Sequence, residues 1–171
     1  MIFLSIGSNL ESKFGNRFDN INKSLFLLSL EGIKTVKKSS FYETPSYPNN
    51  KYPKFINIAL QIICEVSPVD LLQIISKIEK KIGRVEKIKN APRPCDIDII
   101  DFNGLVEKSK TIILPHPRAF ERNFVLYPLK EICPNWHYPV NNKKIDDLIS
   151  NISFKLRNEI TRLPESAIKK K

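Results

Sequence analysis

The spacing of apolar positions changes several times along the chain, and each change predicts an element. Ile2–Ile6 is a near-continuous apolar run, as in a strand buried on both faces, and it stops at Gly7-Ser8-Asn9. After a polar loop, Phe18, Ile21, Leu25 and Leu28 recur at helical spacing and predict a helix that Gly32 ends. Lys34–Thr44 is mixed but strand-like, with Val36, Phe41 and Tyr42. PSYPNNKYPK (45–54) follows, and its three prolines and two asparagines exclude a helix or an interior strand. Phe55–Val66 alternates loosely and predicts a strand.

Ser67-Pro68-Val69-Asp70 announces the next helix: serine as N-cap, proline at the first helical position, and aspartate returning to the cap. Its apolar face is Leu71, Ile75, Ile78 and Ile82, and Gly83 ends it. Arg84–Pro94 is a second polar loop, leading into a strand that closes at Asn103-Gly104. Val106–Leu114 predicts another short strand and Pro117–Leu129 a helical segment. The remainder is amphipathic, and residues 165–171 are expected to fray. The order β-α-β-loop-β-α-loop-β predicts a single α+β domain over 1–171. It would be a two-layer sandwich with helices on one face of a mostly antiparallel sheet. Two long loops in such a chain are the places to look for function.

Within RPCDIDIID (93–101), Asp96 and Asp98 stand two apart inside an apolar run. On a strand they share one face while Cys95, Ile97 and Ile99 share the other. Their carboxylates would approach to ~5 Å and repel by roughly 3 kcal/mol at an effective dielectric of about 20. The pattern therefore calls for a cation. A half-buried strand with an acidic wet face is the simpler alternative.

Composition narrows the partners. The 171 residues suffice to bury roughly 70 % of the unfolded surface in one core. The formal net charge of +10 suggests an anionic partner: nucleic acid, a membrane surface or a phosphorylated small molecule. The excess is mostly lysine, however, with only seven arginines among 28 basic residues. Lys, Asn and Ile all have A/T-rich codons, so much of this charge is also what a biased genome would produce. The arginines are the more telling cations. Cys64, Cys95 and Cys133 are odd in number and widely spaced, which argues against disulfides or a zinc site and for a reducing cytoplasm. The N-terminal MIFLSIG lacks the basic start of a signal peptide, and no apolar run approaches a membrane span.

Nucleotide-binding glycine motifs are missing, and five glycines cannot build a Gly-rich cradle. Phosphate would have to be held by arginine, lysine, histidine and metal. Such residues flank the acidic pair: Arg84 and Arg93 in the preceding loop, then His116, Arg118 and Arg122 in LPHPRAFERNFVLYPL (114–129). Carboxylates facing cations across a cleft, with Mg²⁺ between the carboxylates and a polyphosphate, is the arrangement of phosphoryl-type transfer.

In family order, the blocks IGSNL (6–10), SSFYETPSY (39–47), FIN (55–57), IEKKIGR (78–84), PRPCDIDII (92–100) and LPHPRAFERNFVLYPLKEICP (114–134) resemble the 6-hydroxymethyl-7,8-dihydropterin pyrophosphokinases of folate biosynthesis. Residues 136–171 match weakly. The resemblance implies a ferredoxin-like fold and transfer of pyrophosphate from ATP to the pterin hydroxymethyl group, releasing AMP. It implies two Mg²⁺ ions on Asp96 and Asp98, and a catalytic set of Arg93, Asp96 and Asp98. ATP would meet Glu79, Arg84, Arg93, Ile99, His116 and Arg122. The pterin would meet Thr44, Pro45, Phe55, Asn57, Asp96 and Phe124. Phe55 and Phe124 offer faces to sandwich a flat heterocycle, and Asn57 can pair with both donor and acceptor edges. Asp96 is the candidate acceptor for the hydroxyl proton. The sequence departs from the family pattern at Glu86, through KIKNA (87–91), at Pro94 and at Phe55, which lacks a tyrosine hydroxyl. A cytoplasmic monomer working on small molecules is expected, with neither nucleic acid nor membrane as partner. Two rivals remain: an RNA-binding module, against which the acidic pair and the lack of an RNP1 pattern speak, and a relative that binds pterin without turnover.

Overall fold

The computed structural model describes residues 1–47, 49–85 and 91–167. The expectations for Glu86 and the KIKN segment, and for the last residues of the tail, lie outside these. The elements run β1 (Ile2–Ser8), α1 (Arg17–Leu30), β2 (Lys34–Lys38), β3 (Tyr42–Thr44), β4 (Phe55–Ile63), α2 (Pro68–Ile82) and β5 (Asp96–Phe102). A small hairpin follows, β6 (Glu107–Lys108) and β7 (Ile113–Leu114), then a 3₁₀ turn at Ala119–Glu121 and α3 (Asn123–Ile132). The tail holds a second hairpin, β8 (His137–Tyr138) and β9 (Lys143–Lys144), then α4 (Ile145–Asn151), α5 (Phe154–Asn158) and β10 (Thr161–Arg162).

The main sheet is ordered β10-β3-β4-β1-β5, with β2 on the far half of β4, and its pairs are antiparallel. The central strand β1 is buried at every residue, as its apolar run predicts. Leu4, Ile6, Ile56, Ile58, Ile97 and Ile99 turn to one face and pack under α1 and α2. The caps of α2 are those its sequence announces: the Ser67 hydroxyl accepts from the Asp70 amide, and Gly83 closes the helix at φ 118°. Such a φ favours glycine. Ile75 sits in this core at 2 % exposure, where truncation to alanine costs about 2–5 kcal/mol.

The two-layer expectation needs correcting, because helices cover both faces. Phe3, Ala59 and Ile100 point the other way and form a second core with Val125, Leu126 and Leu129 of α3, Trp136, and Ile145 and Leu148 of α4. Three further readings change. Lys34–Thr44 is two strands, broken where the Ser39 hydroxyl accepts from the Ala59 amide while the Ser39 amide donates to the Ala59 carbonyl. Val106–Leu114 folds into its own hairpin and adds no strand to the main sheet. Pro117–Leu129 starts as a 3₁₀ turn and becomes α-helical only at Asn123. The weakly matching tail is built in: the Trp136 indole donates to Asp101 at 2.8 Å, and β10 pairs with β3.

Candidate active site

The α3 side of the sheet is covered over one half only. On the other half lie Ser5 and Gly7 of β1, Thr44 of β3, Phe55 and Asn57 of β4, and Asp96 and Asp98 of β5, forming the floor of a cavity of about 630 Å³. These positions alternate with the core isoleucines, which is why polar residues interrupt apolar strands here. Gly7 keeps the floor low: a Cβ there would stand 3.0 Å from the Asn57 Oδ1 and 3.3 Å from the Phe55 ring.

Cations bracket the acidic pair. Asp96 accepts from Arg84 at 2.7 Å and from Arg93, and Asp98 lies 3.4 Å from Arg122 and 3.7 Å from His116. Three guanidiniums thus converge on the two carboxylates, with Arg84 shared by Glu79. Arg93 also stands over the Phe55 ring at 5.3 Å, and Arg122 over Phe124 at 5.4 Å. Each aromatic wall is thereby tied to the acidic pair. Among the described residues the buried Nε of Arg93 has no partner, a donor left over for a ligand oxygen.

Asp96 and Asp98 share the cavity face, while Cys95, Ile97 and Ile99 lie in the core on the other. The cavity wall includes Thr44, Pro45, Phe55, Asn57, Arg93, Arg122 and Phe124. Arg84 and His116 are not on that wall but contact the pair from behind it. The Ile99 side chain is buried against α1 and α2, so a ligand contact at this position would be made by its backbone. Glu79 is likewise committed, accepting from the Ile97 amide at 2.7 Å and from Arg84 at 2.5 Å. It anchors β5 and aims Arg84.

The electrostatics follow from this crowding. Burial pushes the Asp98 carboxyl up to about 6, the Asp96 charge adding to the effect and Arg122, Arg93 and Arg84 opposing it. Burial also pushes Glu79 up to about 7, with the Ile97 amide and Arg84 pulling it back. His116 goes down to about 4 through burial and the nearby Arg122 charge, so it is neutral at pH 7. Its Nδ1 accepts from the Arg118 amide at 3.1 Å, which assigns the proton to the Nε2 that faces Asp98.

Asn9 is a site residue that sequence reasoning missed. It is 2 % exposed and joins three segments. Its Oδ1 accepts from the Arg93 amide at 2.7 Å, and its own amide donates to the Arg93 carbonyl at 3.1 Å. Its Nδ2 donates to the Ser46 hydroxyl and the Pro53 carbonyl, both at 3.1 Å. The cation loop and the 45–54 loop therefore meet on one side chain. Its place in the block IGSNL was the only signal. Residues 151–159 of the tail, also on the cavity wall, carried none.

Among the described residues no cluster of three or more His, Cys, Asp or Glu could hold a metal alone. The acidic pair nonetheless fits Mg²⁺, which takes one or two carboxylates and completes its shell with substrate phosphates and water. Asp98 fits best, its contacts with Arg122 and His116 being long. Among the described residues no helix is long and apolar enough to cross a membrane.

The sequence profile of the family described as 7,8-dihydro-6-hydroxymethylpterin-pyrophosphokinase matches residues 3–134. The chain is 39 % identical over 142 residues to the folic acid synthesis protein FOL1 of Dictyostelium discoideum, covering 81 % of this chain but 20 % of that protein. It spans about a fifth of the length of the first curated relatives it matches. The 2-amino-4-hydroxy-6-hydroxymethyldihydropteridine pyrophosphokinase of Bacillus subtilis is 36 % identical over 132 residues, 77 % of each chain. The fold is also that of the Plasmodium falciparum HPPK-DHPS crystal structure with SDX-DHP, at TM-score 0.68, 15 % identity, and coverage of 94 % of this chain and 46 % of that one.

Proposed function

The chain belongs to the 7,8-dihydro-6-hydroxymethylpterin-pyrophosphokinase family, and from that premise we propose that it transfers pyrophosphate from ATP to the hydroxymethyl group of 6-hydroxymethyl-7,8-dihydropterin, a step of folate synthesis. The observation that carries this reading is the acidic pair on the open half of the sheet, linked through Arg93 to Phe55 and through Arg122 to Phe124. We read the β-α-β-β-α-β core as ferredoxin-like.

The pterin ring lies against Phe55 and Phe124, with Asn57 and Thr44 at its polar edge; the Asn57 amide already donates to the Thr44 hydroxyl at 3.1 Å. The pterin hydroxymethyl oxygen attacks the β-phosphorus of ATP, the bond from that phosphorus to the α-phosphate oxygen breaks, and AMP leaves. Arg93, Arg84 and Arg122 hold the polyphosphate in line, and the neutral His116 donates one hydrogen bond through Nε2. Asp96 and Asp98 would hold two Mg²⁺ ions, which when bound supply charge neutralisation on the phosphates and orient them. Both Asp96 oxygens already accept from guanidiniums, which suits it to holding charge, and the proton released by the attacking hydroxyl passes to solvent.

The Asn9 junction makes binding cooperative. A nucleotide that fixes Arg93 also fixes Ser46 and Pro53 beside the pterin wall, so less ordering entropy is left for the pterin to lose. Pterin is expected to bind several-fold more tightly in the presence of Mg²⁺ and a non-hydrolysable ATP analogue. In Asn9→Ala this enhancement should largely disappear. Titrating pterin fluorescence with and without the analogue tests both. Absence of pterin binding would contradict the function, and equal enhancement in the variant would contradict the junction.

A further inference from the structure

We propose that the C-terminal segment 151–159, which lies outside the span matched by the family profile, is the outer wall of the pterin pocket, with Asn123 as the residue that positions it. The inference rests on the pterin reading above and assigns a part of that pocket to the tail. Asn151, Ile152, Ser153, Lys155, Leu156 and Glu159 line the same cavity as Phe124, Thr44 and Asn57. The family profile ends at residue 134.

The segment is fastened on both sides. Before it, Ile145 and Leu148 are buried in the second core, which also takes Ile152 at its start. After it, β10 pairs with the edge strand β3, the Leu163 amide donates to the Phe41 carbonyl at 2.8 Å, and Arg162 donates to the Ser40 hydroxyl at 3.0 Å. Between these anchors α5 is short, and the Ser153 hydroxyl caps it by accepting from the Leu156 amide at 3.3 Å. Its tie to the rest of the pocket is Asn123, 5 % exposed at the start of α3. The Asn123 Nδ2 donates to the Leu156 carbonyl at 2.6 Å, and its Oδ1 accepts from the Phe124 amide at 2.7 Å. One buried amide thus fixes both the aromatic wall and the segment facing it. Its neighbour Arg122 reaches Asp98 at 3.4 Å, on the nucleotide side. A defect at Leu156 should accordingly reach the pterin first and the nucleotide hardly at all.

Asn123→Asp separates the two bonds. It keeps the oxygen that accepts from the Phe124 amide and replaces the donor to Leu156 with a second acceptor. Pterin affinity, read by its fluorescence in the presence of Mg²⁺ and an ATP analogue, is expected to fall about fivefold or more, the equilibrium effect of one lost buried hydrogen bond. Binding of the analogue alone should stay unchanged. The single tryptophan, Trp136, is 3 % exposed beside the same tail; unchanged emission would show that the tail core is still docked. Hydrogen exchange on the unsubstituted chain gives a second reading, in which pterin should protect amides 154–158. Undiminished pterin affinity in the variant, or no protection of those amides, overturns the assignment of the wall. If the unsubstituted chain binds no pterin, the function itself fails, and the wall with it.

Discussion

Asp98→Asn is expected to leave the ligand-free protein as stable as the unsubstituted chain, or more so, while slowing turnover by on the order of a thousandfold or more. Asp98 has its carboxyl pushed up to about 6 by burial, against about 3.9 for a free aspartate. The folded state therefore holds this proton more tightly than the unfolded state does. As pH rises from about 4 to about 6, that difference removes stability, and above it the cost of the buried charge is fully present. Asparagine never carries the charge. Its melting temperature should lose this part of the pH dependence and sit level with or above that of the unsubstituted chain at pH 7.5. Stabilisation by Mg²⁺ with an ATP analogue should vanish, because the proposed metal site loses one of its two carboxylates. If Asp98 merely served the fold, the result would reverse: early melting and near-normal turnover.

Arg93→Lys should cost on the order of a hundredfold in rate, as lysine keeps the charge but loses the planar fork. The Arg93 guanidinium bonds Asp96, stacks at 5.3 Å over Phe55 and, among the described residues, leaves its buried Nε unpartnered. A single ammonium cannot meet three such demands at once. Each charge-assisted bond is worth about 1.5–3 kcal/mol, so one or two lost in the transition state account for the expected drop. The backbone of residue 93 still pairs with Asn9, so melting should change little. A rate within about threefold of that of the unsubstituted chain would remove Arg93 from the proposed reaction.

Much of the fold was legible where one period dominates. The apolar run of β1, the four-residue face of α2 with its Ser67 cap, and the alternation that puts Asp96 and Asp98 on one face are local signals, and the structure keeps them. The second helical face was hidden because it touches the sheet through isolated residues, Phe3, Ala59 and Ile100, each masked by a stronger neighbouring pattern. Ile99 and Glu79 are near the site in sequence, but the strand period turns Ile99 into the core and the Ile97 amide holds Glu79. The contacts that finish the cavity are long-range: Asn9 meets Arg93 across 84 residues, and Asn123 meets Leu156 across 33. No local pattern encodes such meetings. They depend on how the sheet brings distant loops together.

The most direct test of the central claim is to incubate the protein with Mg²⁺, ATP and 6-hydroxymethyl-7,8-dihydropterin and to separate the nucleotides formed. Attack on the β-phosphorus predicts AMP and pterin diphosphate in equal amounts, with no AMP when pterin is left out. ADP in place of AMP, or bound pterin with no nucleotide turnover, would contradict the account.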